Sequence, residues 1–371
     1  MSENPSETIQ SAAKNGDIDL MKKLLDLKRD PSSNYNEAIR IASKEGHLNI
    51  VNLLLQDPRV DPSDHYNDAI IFAAQEGHTE VVEQLLRDQR VNPSANYNDA
   101  IILASQNGHV EVVDRLLRDR RVNPSFNHND AIIFASQNGH TKVVQRLIQD
   151  PRVNPSASNN LAINSASENG HVEVVDLLLQ DQRVTPSDHI IMIVTQNNHL
   201  NVINRLLEDP RVDPSHMNNF SICLAAEHGK TEIVDRLLQD KRVDPSVREQ
   251  YSIRIAADNG HVNIVDRLLQ DPRVDPGVLD GYAIRFASEN GHITVVDRLL
   301  EDQRVDPSVL ENYAIRHAAE NGHAEVVDRL LEDPRVDPTD RDNYTIRVAM
   351  ENKHLAVVRR LLADSRIHLI D

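Results

Sequence analysis

Residues Asn98-Asp-Ala-Ile-Ile-Leu-Ala-Ser-Gln-Asn-Gly-His109-Val-Glu-Val-Val-Asp-Arg-Leu-Leu117, followed by Arg-Asp-Arg-Arg-Val-Asn-Pro124-Ser125, hold one complete structural unit of the chain. In the first segment Ile101 and Ala104 lie three apart. In the second, Val112, Val113, Leu116 and Leu117 fall at i, i+1, i+4 and i+5, which is one face of a helix. Two short helices are predicted. Gly108 separates them, where a helix end takes a left-handed residue at little cost, and Asn98 or Asp99 is placed to cap the first. Pro124 stops anything helical from crossing the connection. Glu111 and Arg115 stand four apart on the second helix, as do Glu325 and Arg329, which predicts ion pairs along a solvated face.

The unit recurs. Glycine followed by histidine stands at Gly46, Gly77, Gly108, Gly139 and Gly170, each 31 residues after the last, and again at Gly260, Gly291 and Gly322. Gly16 lacks the histidine, Gly229 precedes Lys230, and Lys353 replaces the glycine before His354. His199 follows His171 by 28 residues, which places a three-residue deletion between Ser187 and Asp188. Twelve units result, framed near 6–35, 36–66, 67–97, 98–128, 129–159, 160–187, 188–218, 219–249, 250–280, 281–311, 312–342 and 343–371. A fixed period of this size marks a repeat array, and a pair of three-turn helices cannot bury its apolar face alone. The expected fold is therefore all-α: a single helix-turn-helix solenoid of stacked units with short loops, forming a curved superhelix.

The core Ala104-Ser-Gln-Asn-Gly-His-Val-Glu-Val-Val-Asp-Arg-Leu-Leu117 resembles the Ala-Ala-x-x-Gly-His-x-x-Val-Val-x-x-Leu-Leu core of the ankyrin repeat, over nearly the whole chain. Two departures stand out. The family's Thr-Pro-Leu-His opening is replaced by Asp-Ala-Ile-Ile at Asp99 to Ile102 and by Tyr-Ala-Ile-Arg at Tyr282 to Arg285, so inter-unit hydrogen bonds must be made differently. The period is two residues short of the family's usual length, and the loss falls in the connection, which argues against a regular β-hairpin finger. The Asp-Pro-Arg-Val-Asp-Pro-Ser loops and Asn-Tyr-Ala-Ile-Arg openings look like the homogeneous ankyrin arrays of large DNA viruses and protists. The resemblance implies a non-enzymatic scaffold or adaptor that grips a protein partner through inner helices and loop tips.

Composition agrees with thin stacked layers: Trp is absent, aromatics are 3%, and the core must be Leu, Ile, Val and Ala. The formal charge of -18 opposes nucleic acid and anionic membrane and favours protein partners with basic patches. Cys223 is the single cysteine, so no internal disulfide can form. Its expected role is that of a small buried hydrophobe. The opening MSENPSETIQ has no basic leader or apolar core, which leads to the expectation of an intracellular, cytoplasmic protein.

The chain has two flavours around the short seventh unit. Ile71, Ile102 and Ile133 occupy a position that Arg254, Arg285, Arg316 and Arg347 take later. Tyr35, Tyr66 and Tyr97 stand just before the expected cap, whereas Tyr251, Tyr282, Tyr313 and Tyr344 stand just after it. Two rounds of duplication with different packing, or two binding surfaces, both fit. Residues between the repeats vary most, as in Phe126, Met217, Val247, Arg248, Val278, Leu279, Val309 and Leu310, and variable positions on a constant scaffold are where solenoids place recognition. Val278, Leu279, Val309 and Leu310 are expected to form an apolar stripe, either exposed to a partner or packed sideways.

The histidines of the Gly-His column are expected to be structural, because stacked units hold them too far apart for one metal ion. Arg59, Arg90, Arg121, Arg152 and Arg183 each follow an aspartate by two residues, so local pairing is expected there. No phosphate loop, His-Glu-x-x-His, Gly-x-Ser-x-Gly or Cys-x-x-Cys occurs, so neither an enzyme nor a cofactor is expected. The alternative to an adaptor is a structural component that associates with itself, suggested by the uniform repeats and the apolar end Ile367-His-Leu-Ile370.

Overall fold

The computed structural model describes residues 8–367. They form twenty-four helices in twelve consecutive pairs, with no strand among the described residues. The apolar end beyond Ile367 lies outside them. The helices fall into two compact units, one ending at Ser187 and the other beginning at Asp188. That boundary is where three residues are missing from the repeat.

Within each unit the stacking follows one rule: first helices pack on first helices, and second helices on second. The fourth repeat shows why. From its first helix Ala100, Ile101 and Ala104 are buried, and from its second, Val112, Val113 and Leu116. The alanines let neighbouring helices approach closely while the branched residues fill the layer, so each repeat supplies half of two cores. Gly108 joins the helices at φ 81°, the left-handed conformation expected of it.

The segment before each first helix departs from expectation. Element Ala95–Gln106 opens with a left-handed turn of Asn96 (φ 46°, ψ 51°), Tyr97 (φ 64°, ψ 32°) and Asn98 (φ 65°, ψ 32°), and right-handed backbone begins only at Asp99. Matching triplets occur at Asn34 to Asn36, Met217 to Asn219, Leu279 to Gly281 and Leu310 to Asn312, among others. Asn98 is therefore not the cap of its own helix. Its side-chain Oδ1 accepts the backbone N–H of Asn123, in the connection that closes the same repeat, at 2.8 Å. Of the residues expected at loop tips, Met217, Arg248, Leu279 and Leu310 open these turns, which stand in place of a β-hairpin, while Phe126, Val247, Val278 and Val309 directly precede them. Left-handed backbone costs an L-residue roughly 1–2 kcal/mol, and asparagine less, which accounts for the recurring asparagines. The seventh first helix, Ile190–Asn197, has no such turn, because the three-residue deletion falls in it.

Candidate interaction surface

Two side-chain ladders tie neighbouring repeats together and a third ties each left-handed turn to the connection that closes its own repeat; what they leave free defines the surface. The first is the histidine column. His140 Nε2 donates to the Gln106 carbonyl at 2.9 Å, and its ring covers Gly108 so closely that a Cβ there would lie 2.7 Å from Nδ1. His109 with Gln75 and His292 with Asp258 repeat the bond at 2.8 and 2.9 Å. Each of these Nε2 atoms is thus engaged with backbone, and among the described residues no group of three or more His, Cys, Asp or Glu could hold a metal ion.

The second ladder lies in the Asp-x-Arg connections. Arg152 pairs with Asp150 through Nη2 at 2.7 Å and Nε at 2.9 Å, and its Nη1 donates to the Val122 carbonyl of the preceding repeat at 2.8 Å. The local pairing is the expected one; the reach to the preceding repeat is not encoded in the spacing. The guanidinium hydrogen bond holds the Asp150 carboxyl below its ordinary range, against the opposing effect of burial. The third ladder is that of the buried asparagines: Asn67, Asn98 and Asn129 accept the N–H of Asn92, Asn123 and Asn154 at 2.7, 2.8 and 2.7 Å.

The two ion pairs expected along single second helices, Glu111–Arg115 and Glu325–Arg329, run between helices instead, while Glu83–Arg87 does pair within its own helix at 2.8 Å. Arg115 pairs with Glu83 of the preceding repeat at 3.4 Å, not with Glu111, and Arg329 reaches Asp297 at 2.8 Å, not Glu325. Parallel second helices in contact bring the arginine of one beside the acid of its predecessor, which competes with the intrahelical geometry.

The second unit's arginines belong to a further network. Arg285 donates to the Asp280 and Leu279 carbonyls at 2.9 and 3.0 Å, and Arg254 and Arg316 do the same in their own turns. Each guanidinium also lies over the tyrosine of the next repeat: Arg254 over Tyr282 and Arg285 over Tyr313, both at 4.9 Å, and Arg316 over Tyr344 at 5.5 Å. Tyr313 in turn donates to Glu289 at 2.7 Å; burial, then this bond, push its hydroxyl up to about 12. Arg316 is only 6% exposed, whereas Arg347 is exposed. Arg40, at the same position of the second repeat, holds the Tyr35 and Asn34 carbonyls at 3.1 Å each in the same way.

Of the other anticipated positions, Met217, Leu279 and Leu310 are exposed by 47%, 42% and 48% on the left-handed turns. Phe126, Val247, Val278 and Val309 are half-buried beneath the turns, and Arg248 is exposed but donates to the Met217 carbonyl at 2.9 Å and lies 5.0 Å over the Phe220 ring. Leucines outward and valines inward is thus the arrangement at both Val278-Leu279 and Val309-Leu310.

A family profile described as ankyrin repeats (3 copies) matches residues 9–99, 101–188, 191–280 and 284–371. The chain belongs to the ankyrin-repeat family. No curated protein matches it. Ankyrin repeats are protein-interaction scaffolds, generally without enzymatic activity, and bind protein partners. In this ankyrin array, which has no Thr-Pro-Leu-His opening, the asparagine ladder and the turn-capping arginines hold the turn at the start of the first helix. Cys223 is fully buried, as expected of a small core residue, and burial pushes its thiol up. No helix among the described residues is long and apolar enough to cross a membrane.

The ankyrin arginine network carries a stability prediction. Arg316→Ile, which installs the residue found at Ile71, Ile102 and Ile133, is expected to lower second-unit stability by about 1–2 kcal/mol, because two turn carbonyls lose a charged donor. A urea midpoint unchanged by Arg316→Ile would mean that the guanidinium is not holding the turn.

Proposed function

We propose that this protein is a non-enzymatic scaffold whose second unit grips a protein partner through its left-handed turns. The observation that carries this reading is the exposure of Leu279 and Leu310, 42% and 48%, at the same position of consecutive repeats. Both sit at the left-handed position that opens each turn, where other repeats carry residues such as Asn96, Asn127 and Arg248. Met217 and Arg248 extend the row toward the N-terminal side, with Val247, Val278 and Val309 forming its floor. Arg254, Arg285 and Arg316 stiffen the turns from behind, and Arg347 is exposed at the far end. Asp280 flanks Leu279, whereas Glu311 is paired with Arg341, so the complementary surface is apolar with a basic group beside Leu279.

Affinity capture followed by mass spectrometry tests this, comparing the unaltered chain with Leu279→Asp/Leu310→Asp. The partner signal is expected to fall about tenfold or more, since buried anchors dominate such interfaces, while helical circular dichroism stays the same. Undiminished capture by the doubly substituted chain would remove the turns from the interface.

A further inference from the structure

The first unit carries a different surface, independent of the turns just described. Arg40 reaches forward to Asp68 of the next repeat at 3.2 Å, so that carboxylate is satisfied within the chain. One and two repeats on, the arginine position holds Ile71 and Ile102, and the carboxylates they would serve are Asp99 and Asp130. These two accept only the side-chain amides of Asn96 and Asn127. Neither is ion-paired to a Lys or Arg among the described residues. Burial pushes the Asp99 carboxyl up, as follows for an acid with no cation beside it. Over the four first-helix elements spanning 64–75, 95–106, 126–137 and 157–168 there is no lysine or arginine at all.

Between these two carboxylates lies a cavity of about 540 Å³ whose apolar walls are Tyr97, Ile102, Phe126 and Phe134. Its volume falls in the range of ligand-binding clefts. The repeat symmetry breaks here: the position of Phe126 is Asp64, Ala95 and Ala157 in neighbouring repeats, and only the phenylalanine builds a wall, with its ring 5.7 Å from that of Tyr97. Tyr66 and Tyr97 stand on the same side, 76% and 72% exposed. Rigid aromatic anchors around an apolar hollow with unpaired charge at its rim are the composition of an interface centre.

We infer that this hollow receives a protein segment that inserts one large apolar side chain between Tyr97, Phe126 and Phe134 and places an adjacent arginine or lysine against Asp99 and Asp130. The incoming cation supplies from outside what Arg40 supplies to Asp68 from within. Charge selects the partner: an acidic segment would be repelled by both carboxylates and by the chain's net charge of -18.

The test is selection from a phage-displayed library of short random peptides on the immobilised full chain, followed by titration of the enriched peptides. The expected consensus is a Leu, Met or aromatic residue beside Arg or Lys, with binding that weakens as salt rises. Two substitutions borrow residues that other repeats already carry at the same place, so the stack tolerates them. Phe126→Ala, the residue of Ala95 and Ala157, removes the wall and is expected to weaken binding about tenfold or more. Ile102→Arg, the counterpart of Arg40, supplies Asp130 with an internal cation and is expected to reduce selection for basic peptides severalfold while leaving the chain as stable or more so. Leu279→Asp/Leu310→Asp leaves this binding intact, so failure here and failure of the second-unit reading are separable. Absence of a consensus, an acidic or neutral one, or binding indifferent to both first-unit substitutions overturns the assignment. So does a concentration-dependent solution mass that Phe126→Ala abolishes, which would give the hollow to a second copy of the chain.

Discussion

Gly108→Ala is expected to lower the stability of the first unit by about 3 kcal/mol, from roughly 1–2 for forcing an alanine into left-handed backbone and a further 1–3 for overpacking. Both contributions are visible at the residue: φ is 81°, and an added Cβ would lie 2.7 Å from His140 Nδ1 and 2.8 Å from Cε1. The ring cannot simply rotate away, since its Nε2 is committed to the Gln106 carbonyl at 2.9 Å. The two contributions separate in a double-mutant cycle. His140→Ala alone loses the hydrogen bond and the ring's packing, but in its presence Gly108→Ala retains only the backbone cost. The cycle is therefore expected to show a favourable coupling of about 1–2 kcal/mol in guanidinium melts followed by circular dichroism. Strict additivity would mean that glycine is required for its backbone conformation alone, and the ring contact would then carry no energy.

The same glycine–histidine column explains why the fold is legible in the sequence. Gly108 and His109 constrain the chain independently, one by backbone conformation and one by a bond into the preceding repeat, so both recur in frame and mark the period. The buried faces are equally readable, because Val112, Val113 and Leu116 have no freedom to leave the helical pattern. The left-handed turns are not. Asparagine suits a helix cap and a left-handed residue alike, so spacing alone points Asn98 to the commoner role. Only the position of the Asn123 N–H, brought back by the connection at the far end of the same repeat, decides between them.

The surface is legible in part for a related reason. Leu279 and Leu310 stand out as apolar residues in variable positions, and they are exposed. Phe126 also stands out, yet the hollow it walls needs Tyr97 from the preceding repeat and Phe134 from further along its own helix. Which residues face one another across repeats depends on stacking register, which spacing along one chain segment does not contain. The same blindness applies to charge. Arg115 has Glu111 four residues away in sequence, but its partner in space is Glu83, 32 residues earlier. A signal is nonetheless present: Arg40 aligns with Ile71 and Ile102, and the loss of that arginine is what leaves Asp99 and Asp130 without a cation.

Acid is expected to unfold both units in a narrow range, with stability nearly flat from neutral pH to about 5 and falling steeply below about 4. The cause is the Asp-x-Arg ladder. In the first unit Asp88, Asp119, Asp150 and Asp181, and in the second Asp240, Asp271, Asp302 and Asp333, are each held below the ordinary carboxylate range by the hydrogen bond from the arginine two residues on. A carboxyl depressed in the folded state contributes stability above its unfolded value, and that contribution is lost as pH falls through the folded value, because the unfolded chain takes up the proton first. Asp99, pushed up by burial, works in the opposite sense but is a single group against many. Protonation frees arginines that also bridge to the preceding repeat, as Arg121 does to Val91 at 2.8 Å and Arg273 to Val243 at 2.8 Å, so each lost pair loosens a junction and not merely a loop. With 40 Lys and Arg and 17 His then facing few negative charges, self-repulsion adds to the loss. Urea midpoints measured across pH check the profile: Asp150→Asn should lower stability at neutral pH and flatten the acid limb, whereas Glu111→Gln, on the exposed face, should do neither. A decline that begins between pH 7 and 5 would remove the aspartates from the leading role.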